Sequence, residues 1–126
     1  MNESRPKKPL VTVPAGPPPT SLVVEDLRVG DGAICEVGQD VVVHYVGVSW
    51  SSGLEFDASW ERRKTFSFRL GAGAVIKGWD IGLVGMKVGG QRRLVVPPGL
   101  GYGGRVMGRI KPNETLVFVV DLLSVD

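Results

Sequence analysis

The fold class expected from the sequence is α+β: a curved antiparallel β-sheet wrapped around one short α-helix. Short runs of β-branched and aromatic residues recur between Gly, Pro and Ser turn signals, as the strands of a small sheet would. A single stretch, Ile76–Gly85, has apolar residues at helical spacing, and no strand–helix–strand alternation calls for a parallel sheet. The chain has 126 residues, one domain's worth, enough to bury roughly two thirds of its unfolded surface around one core.

Taken in order, residues 1–20 read as a flexible, Pro-rich basic tail. They hold six of the nine prolines (Pro6, Pro9, Pro14, Pro17, Pro18, Pro19) and no sustained periodicity, so an extended, partly polyproline II course is expected. Removing the tail is expected to leave the melting temperature nearly unchanged. The ordered domain is placed at residues 21–126, beginning with a strand in Leu22–Leu27. Val41–Val48 (VVVHYVGV) is the clearest strand, bracketed by Gly38 and Ser51–Gly53, and Phe66–Leu70 and Arg92–Val96 follow in the same style. In the helical stretch Ile76, Trp79 and Leu83 share a face, while Gly78, Gly82 and Gly85 keep it short. Thr115–Leu123 is apolar on both alternating faces, which marks a central strand buried on each side.

Composition excludes several function classes. Arg5, Lys7 and Lys8 against Glu3 account for the net charge of +2, so the domain itself is electrically balanced. A nucleic-acid module would concentrate basic charge on its folded surface; the pairs Arg62–Arg63 and Arg92–Arg93 read as solvated rims, and no nucleic-acid partner is expected. No apolar run approaches the ~20 residues that span a bilayer, so no membrane partner is expected either. The start, MNESRPKKPLVTVPAG, has no apolar core of a secretory signal, and a cytoplasmic location is expected. Cys35 is the single cysteine and reads as a passive small side chain. His44 is the single histidine and, alternating with Tyr45 along a strand, faces away from it. No metal site and no cofactor are expected from this set. Gly99-Leu-Gly-Tyr-Gly-Gly spells GxGxxG, but it follows Pro97–Pro98 and runs into RVMGRIKPNE, which cannot open a phosphate-binding helix.

What remains is a set of aromatics without catalytic partners: Tyr45, Phe56, Phe66, Phe68, Trp79, Tyr102 and Phe118. Composition leaves two readings open, ordinary core or a shaped apolar pocket. The order of the blocks VVVHYVG, GLEFDASW, TFSFRLGAGAVIKGWDIGLVGMKVGGQRRLVVPPGLGYG and IKPNETLVFVVDLL closely resembles the FKBP-type peptidyl-prolyl cis-trans isomerases in their small single-domain form, over about residues 21–126. The resemblance implies the FKBP-like sheet around one helix and rotation about X–Pro bonds. Asp57, Trp79, Tyr102 and Phe118 are implied as catalytic. Tyr45, Phe56, Arg62, Phe66, Phe68, Val75, Ile76 and Ile110 are implied as substrate- or macrolide-binding. Trp79 would form the floor, the Tyr102 hydroxyl and the Ile76 N–H would bond peptide carbonyls, and Asp57 would sit at the rim, tied to Tyr45 and Arg62. The implied partners are Pro-containing peptides, folding proteins and macrolides such as rapamycin, met by a monomer. The alternative kept open is a low-turnover binding module for Pro-containing partners. The segment between Tyr102 and Pro112 is slightly shorter than in the best-known members, with Lys111 where proline is common.

Overall fold

The computed structural model describes residues 7–126. The first six residues of the expected tail, Arg5 among them, lie outside the described residues. Among the described residues six strands form one antiparallel sheet: β1 (Val23–Arg28), β2 (Asp40–Ser49), β3 (Glu55–Ala58), β4 (Phe66–Arg69), β5 (Gln91–Val96) and β6 (Leu116–Val125). The order is β1-β5-β6-β2-β3, and β4 pairs with β2. One helix, α1 (Lys77–Gly82), lies between β4 and β5 in sequence, and Trp60–Arg62 and Pro98–Leu100 make short 3-10 turns. The architecture is the expected α+β sheet around one short helix.

β2 and β6 form the spine. They pair from Val41↔Val125 to Ser49↔Leu116 with one bulge between Val42 and Val43. β3 and β4 share the other edge of β2: β4 takes Asp40 to Val43, β3 takes Val46 to Val48. β3 has no strand signature of its own, being four residues with two acids; pairing with β2 makes it a strand. β6 is central, as its two-faced apolar pattern predicts. Leu116, Phe118, Val120 and Leu122 face the core under α1, and Val117 joins a second apolar cluster. The helix is shorter than Ile76–Gly85, because after Leu83 the chain turns back toward β5 through Gly85, whose φ of 87° is a left-handed conformation that costs glycine little.

The glycines of α1 also permit its seating. A Cβ on Gly78 would lie 2.6 Å from Val96 Cγ1, and one on Gly82 would lie 2.8 Å from Leu94 Cδ2. Val96 and Leu94 are both fully buried on β5. Arg92 fixes the C-terminal end of the helix: its Nη1 donates to the carbonyls of Gly82 at 2.9 Å and Val84 at 3.0 Å, and its Nε donates to Asp26 at 2.8 Å. Arg92 is 8% exposed, so the reading of Arg92–Arg93 as a solvated rim is corrected for this residue. Its cation meets helix carbonyls that have no partner within the helix, and a β1 carboxylate balances the charge.

The second cluster, on the sheet face away from α1, consists of Val46, Val48, Ala58, Val95 and Val117. Trp50, Trp60 and Val23 pack on it, and so do Val11 and Val13 from the Pro-rich segment. Pro9, Val11 and Val13 are half-buried while Leu10, Thr12 and Pro14 are exposed, a short alternation that proline content hides. The Trp50 indole donates to the Gly16 carbonyl at 3.2 Å, and Lys8 pairs with Glu55 at 2.8 Å and also with Glu61. Residues 7–20 therefore touch the domain well before Ser21. The missing proline N–H groups keep them out of the sheet ladder but not off its surface.

Two outcomes follow from this packing. Deleting residues 1–20 should lower the melting temperature by several degrees, on the order of 1–2 kcal/mol from uncovering the outer cluster; an unchanged thermal transition would show that the contacts contribute nothing. Gly78→Ala should destabilise by about 1–3 kcal/mol through overpacking on Val96, although alanine is the better helix former by ~1 kcal/mol. A stabilised variant in urea denaturation would contradict the close approach.

Candidate active site

β2 carries Tyr45 and Gly47 on the face toward α1. Gly47 pairs with Phe118 on β6 and with Asp57 on β3, so the strand register draws three distant segments around one point. A Cβ on Gly47 would lie 2.6 Å from Phe56 Cζ and 2.8 Å from Phe118 Cε1. Its absence lets those rings meet edge to face, with centroids 5.6 Å apart. Tyr45 is held from behind by Ser59, fully buried, whose Oγ accepts the Tyr45 N–H at 2.8 Å and lies 2.7 Å from His44 Nδ1. His44 points to the other face and stacks on Trp60 at 4.1 Å.

Trp79 projects from α1 into this region and is 4% exposed. Tyr45, Phe118 and Phe66 meet its indole edge to face at 5.1, 5.3 and 6.1 Å, and Phe68 tilts against it at 5.7 Å. Each such pair contributes ~0.5–1.5 kcal/mol beyond area burial, so the ring is fixed on several sides. Above it opens a cavity of about 290 Å³, near the lower end of ligand pockets. Its walls include Tyr45, Phe56, Phe66 and Phe118 with Asp57; Val75, Ile76 and Tyr102 close it, together with Ala74.

The segment before α1 is shaped by Asp80. One carboxylate oxygen accepts the Gly71 N–H at 2.8 Å and the other the Gly73 N–H at 2.9 Å, which draws residues 71–76 over the helix and sets Val75 and Ile76 at the cavity. Across from them, Gly103 N–H bonds the Pro98 carbonyl at 2.8 Å and Asn113 N–H bonds the Gly103 carbonyl at 2.7 Å, folding the GxGxxG-like stretch into a turn that presents Tyr102. No helix follows it, as its sequence context predicts. Neither the Ile76 N–H nor the Tyr102 hydroxyl makes a hydrogen bond among the described residues. Two unpaired donors thus border a largely apolar space with Asp57 in its wall, and the buried Trp79 Nε1–H at its floor also has no partner among the described residues.

The rim is ionic. Tyr45 donates its hydroxyl proton to Asp57 at 2.5 Å, and Arg62 donates to Asp57 at 2.6 Å and to the Tyr45 oxygen at 2.9 Å. Burial pushes the Asp57 carboxyl up, but the bonds from Tyr45 and Arg62 and the Arg62 charge outweigh it and hold the group below its ordinary value. Burial and the neighbouring carboxylate raise Tyr45. Burial, then the Asp57 charge, raises Tyr102.

Most of the residues expected at the site converge on this cavity. Three do not reach its surface. Phe68, 8% exposed, stacks behind Phe66 at 5.5 Å and supports Trp79 from the core. Ile110 is 4% exposed and belongs to the same buried cluster as Trp79. Arg62 lies outside the lining and acts through Asp57 and Tyr45. Sequence reasoning missed Ala74, Asp80 and Ser59; a small wall residue, a loop anchor and a buried hydroxyl leave no periodic or motif signal.

Comparison with known proteins agrees with this geometry. The family model described as FKBP-type peptidyl-prolyl cis-trans isomerase matches residues 32–123. An FK506-binding protein of Streptomyces anulatus is 54% identical over 121 residues, covering 94% of this chain and 98% of that protein. A probable FK506-binding protein of Corynebacterium glutamicum is 47% identical over 118 residues, covering 94% of this chain and 98% of its own. The crystal structure of AtFKBP13 superposes with a TM-score of 0.78 at 37% identity, over 86% of this chain and 96% of that one. FkpA from Escherichia coli gives 0.76 at 44% identity over 85% of this chain, which spans 49% of that longer protein. A match that runs from before β2 into β6, with relatives near half identical along their whole length, makes this chain a member of the FKBP-type peptidyl-prolyl cis-trans isomerase family.

Proposed function

We propose that the cavity over Trp79 is where the prolyl bond turns and that the protein uses this activity to assist the folding of Pro-containing polypeptides. The observation that carries the reading is an aromatic floor fixed edge-on by its neighbours, bordered by two unpaired donors, Ile76 N–H and Tyr102 hydroxyl. Rotation about X–Pro must break amide resonance against a barrier of about 18–20 kcal/mol, and no bond between heavy atoms changes. The twisted amide has lost its charge-separated resonance form and is less dipolar than either planar form. A dry aromatic surface therefore favours it over a planar amide that water solvates well. The proline ring would lie on Trp79, and the two donors would hold carbonyls of the flanking chain. Asp57, Tyr102 and Phe118 complete the catalytic surface, and no general base is required. Macrolides that present a proline-like ring between carbonyls would occupy the same space, in keeping with the names of the relatives. Its outer apolar cluster is already covered by Val11 and Val13, which supports action as a monomer. The single thiol, buried with Sγ 2.9 Å from the Leu83 carbonyl, suits a reducing compartment such as the cytoplasm.

Turnover of a Leu-Pro or Phe-Pro peptide, read by a protease-coupled assay, tests the reading. Trp79→Ala should remove most activity and also cost roughly 3 kcal/mol or more of stability, so its circular dichroism must show a folded state at the assay temperature. Tyr102→Phe should keep the fold and weaken macrolide binding by about 0.5–1.5 kcal/mol in calorimetry. A native protein that binds without accelerating exchange would be a binding module instead.

The pH dependence is fixed by the shifts at the rim. Asp57, held below its ordinary value of about 3.9, stays ionised down to that region, while both tyrosines are pushed above about 10. Activity should be flat between about pH 6 and 8.5 and fall on acidification only as Asp57 protonates and its bonds to Tyr45 and Arg62 are lost. A bell-shaped profile inside that window would indicate an acid–base step and contradict the mechanism.

A further inference from the structure

Beside the aromatic cavity lies a second, open groove of about 660 Å³ between residues 73–77 and 98–105. The two share Ala74, Val75, Ile76 and Tyr102, so the groove is the continuation of the cavity and both unpaired donors stand at their junction. A polypeptide seated with its proline over Trp79 must leave the cavity, and this groove is wide enough to take the neighbouring residues. Its charged lining consists of Lys77 and Arg105, with no carboxylate. Both side chains are exposed, and neither makes a salt bridge among the described residues. Two carboxylates stand close by: Asp57 in the adjoining cavity is paired with Arg62 at 2.6 Å, and Asp80, behind the groove wall, has its oxygens taken by the Gly71 and Gly73 N–H groups. Two cations without a salt-bridge partner among the described residues, at the exit of an apolar cavity, favour negative charge on the chain that passes them.

We propose that this groove is a specificity subsite for an Asp or Glu side chain within about three residues of the isomerised proline, with Lys77 and Arg105 as the residues that read it. The inference rests on the cavity reading above and adds the substrate class to it.

The test uses the full chain and pairs of Pro-containing peptides identical except for Glu or Gln near the proline, placed before it in one pair and after it in the other. Exchange is followed by NMR, which needs no protease with charge preferences of its own. In at least one pair kcat/KM should be about 2–5-fold higher for the Glu peptide at low salt, the range of an exposed ion pair, and the ratio should approach one at about 0.5 M NaCl. The ratio is read within each protein, so a general change in activity cancels. Lys77→Glu with Arg105→Glu should bring it to one or below. Lys64→Glu with Lys87→Glu, two exposed lysines outside both cavities, makes the same change in net charge and should preserve it. A native ratio of one in both pairs, or a ratio untouched by reversing Lys77 and Arg105, overturns the subsite. Trp79→Ala separates the two readings. If it retains turnover of all four peptides the cavity reading falls and the subsite with it, whereas an inactive Trp79→Ala beside a native ratio of one removes the subsite alone.

Discussion

The backbone of α1 lies against β5 at a separation that only glycine allows. With Gly78 over Val96 and Gly82 over Leu94, the helix sits low on the sheet, and its side chains enter the concave face near their Cβ atoms rather than at the ends of long stems. Trp79 lies between those two glycines in sequence. Its indole is therefore brought within edge-to-face distance of rings on β2, β4 and β6. A helix raised to admit a Cβ at Gly78 and Gly82 would loosen these pairs. Arg92 and Asp80 keep the seating in register, one by holding the carbonyls at the end of the helix, the other by tying the incoming loop to it. Six residues of helix suffice because both ends are anchored from outside.

Polarity in the site is divided by position. The floor and most of the walls are hydrocarbon and aromatic, while the charged groups, Asp57 and Arg62, stand at the rim, neutralise each other directly and both bond the Tyr45 hydroxyl. An unpaired charge at the floor would bring water with it and favour the planar, dipolar amide. Paired at the edge, the same groups orient Tyr45 without wetting the cavity. The two donors left unpaired, Ile76 N–H and the Tyr102 hydroxyl, fit this division, since a group that must bond a ligand cannot be satisfied by the protein first.

The outer face of the sheet answers to a different constraint. β6 is apolar on both sides, so a single helix cannot cover it, and the sheet needs a second layer. That layer is irregular: Trp50, Trp60 and the Pro-rich segment through Val11 and Val13. Proline prevents the segment from adding a strand or pairing with an edge, yet its valines still shield apolar surface. With the outer face covered by this irregular layer, α1 and the loops beside it cover the concave face and frame the cavity there.

Strand identity along β2, β5 and β6, the brevity of α1 and the two-sided burial of β6 were legible in the chain, because each is a local property of β-branching, glycine content and alternation. The family resemblance rested on the same readable blocks and named most of the residues that line the cavity. Other features depended on long-range pairing. β3 is a strand through its register with β2, and Phe68 and Ile110 are buried because the pairing of distant segments makes them part of the main apolar cluster. Arg92 reads in sequence as half of an exposed basic pair, and it becomes a buried helix anchor only where β5 passes beneath the last carbonyls of α1. Val11 and Val13 lie among prolines that obscure any period, and their burial follows from an apolar surface created by strands far along the chain. Local pattern determines which elements form; the distances between elements decide which side chains meet, and those distances are set by contacts no window of sequence contains.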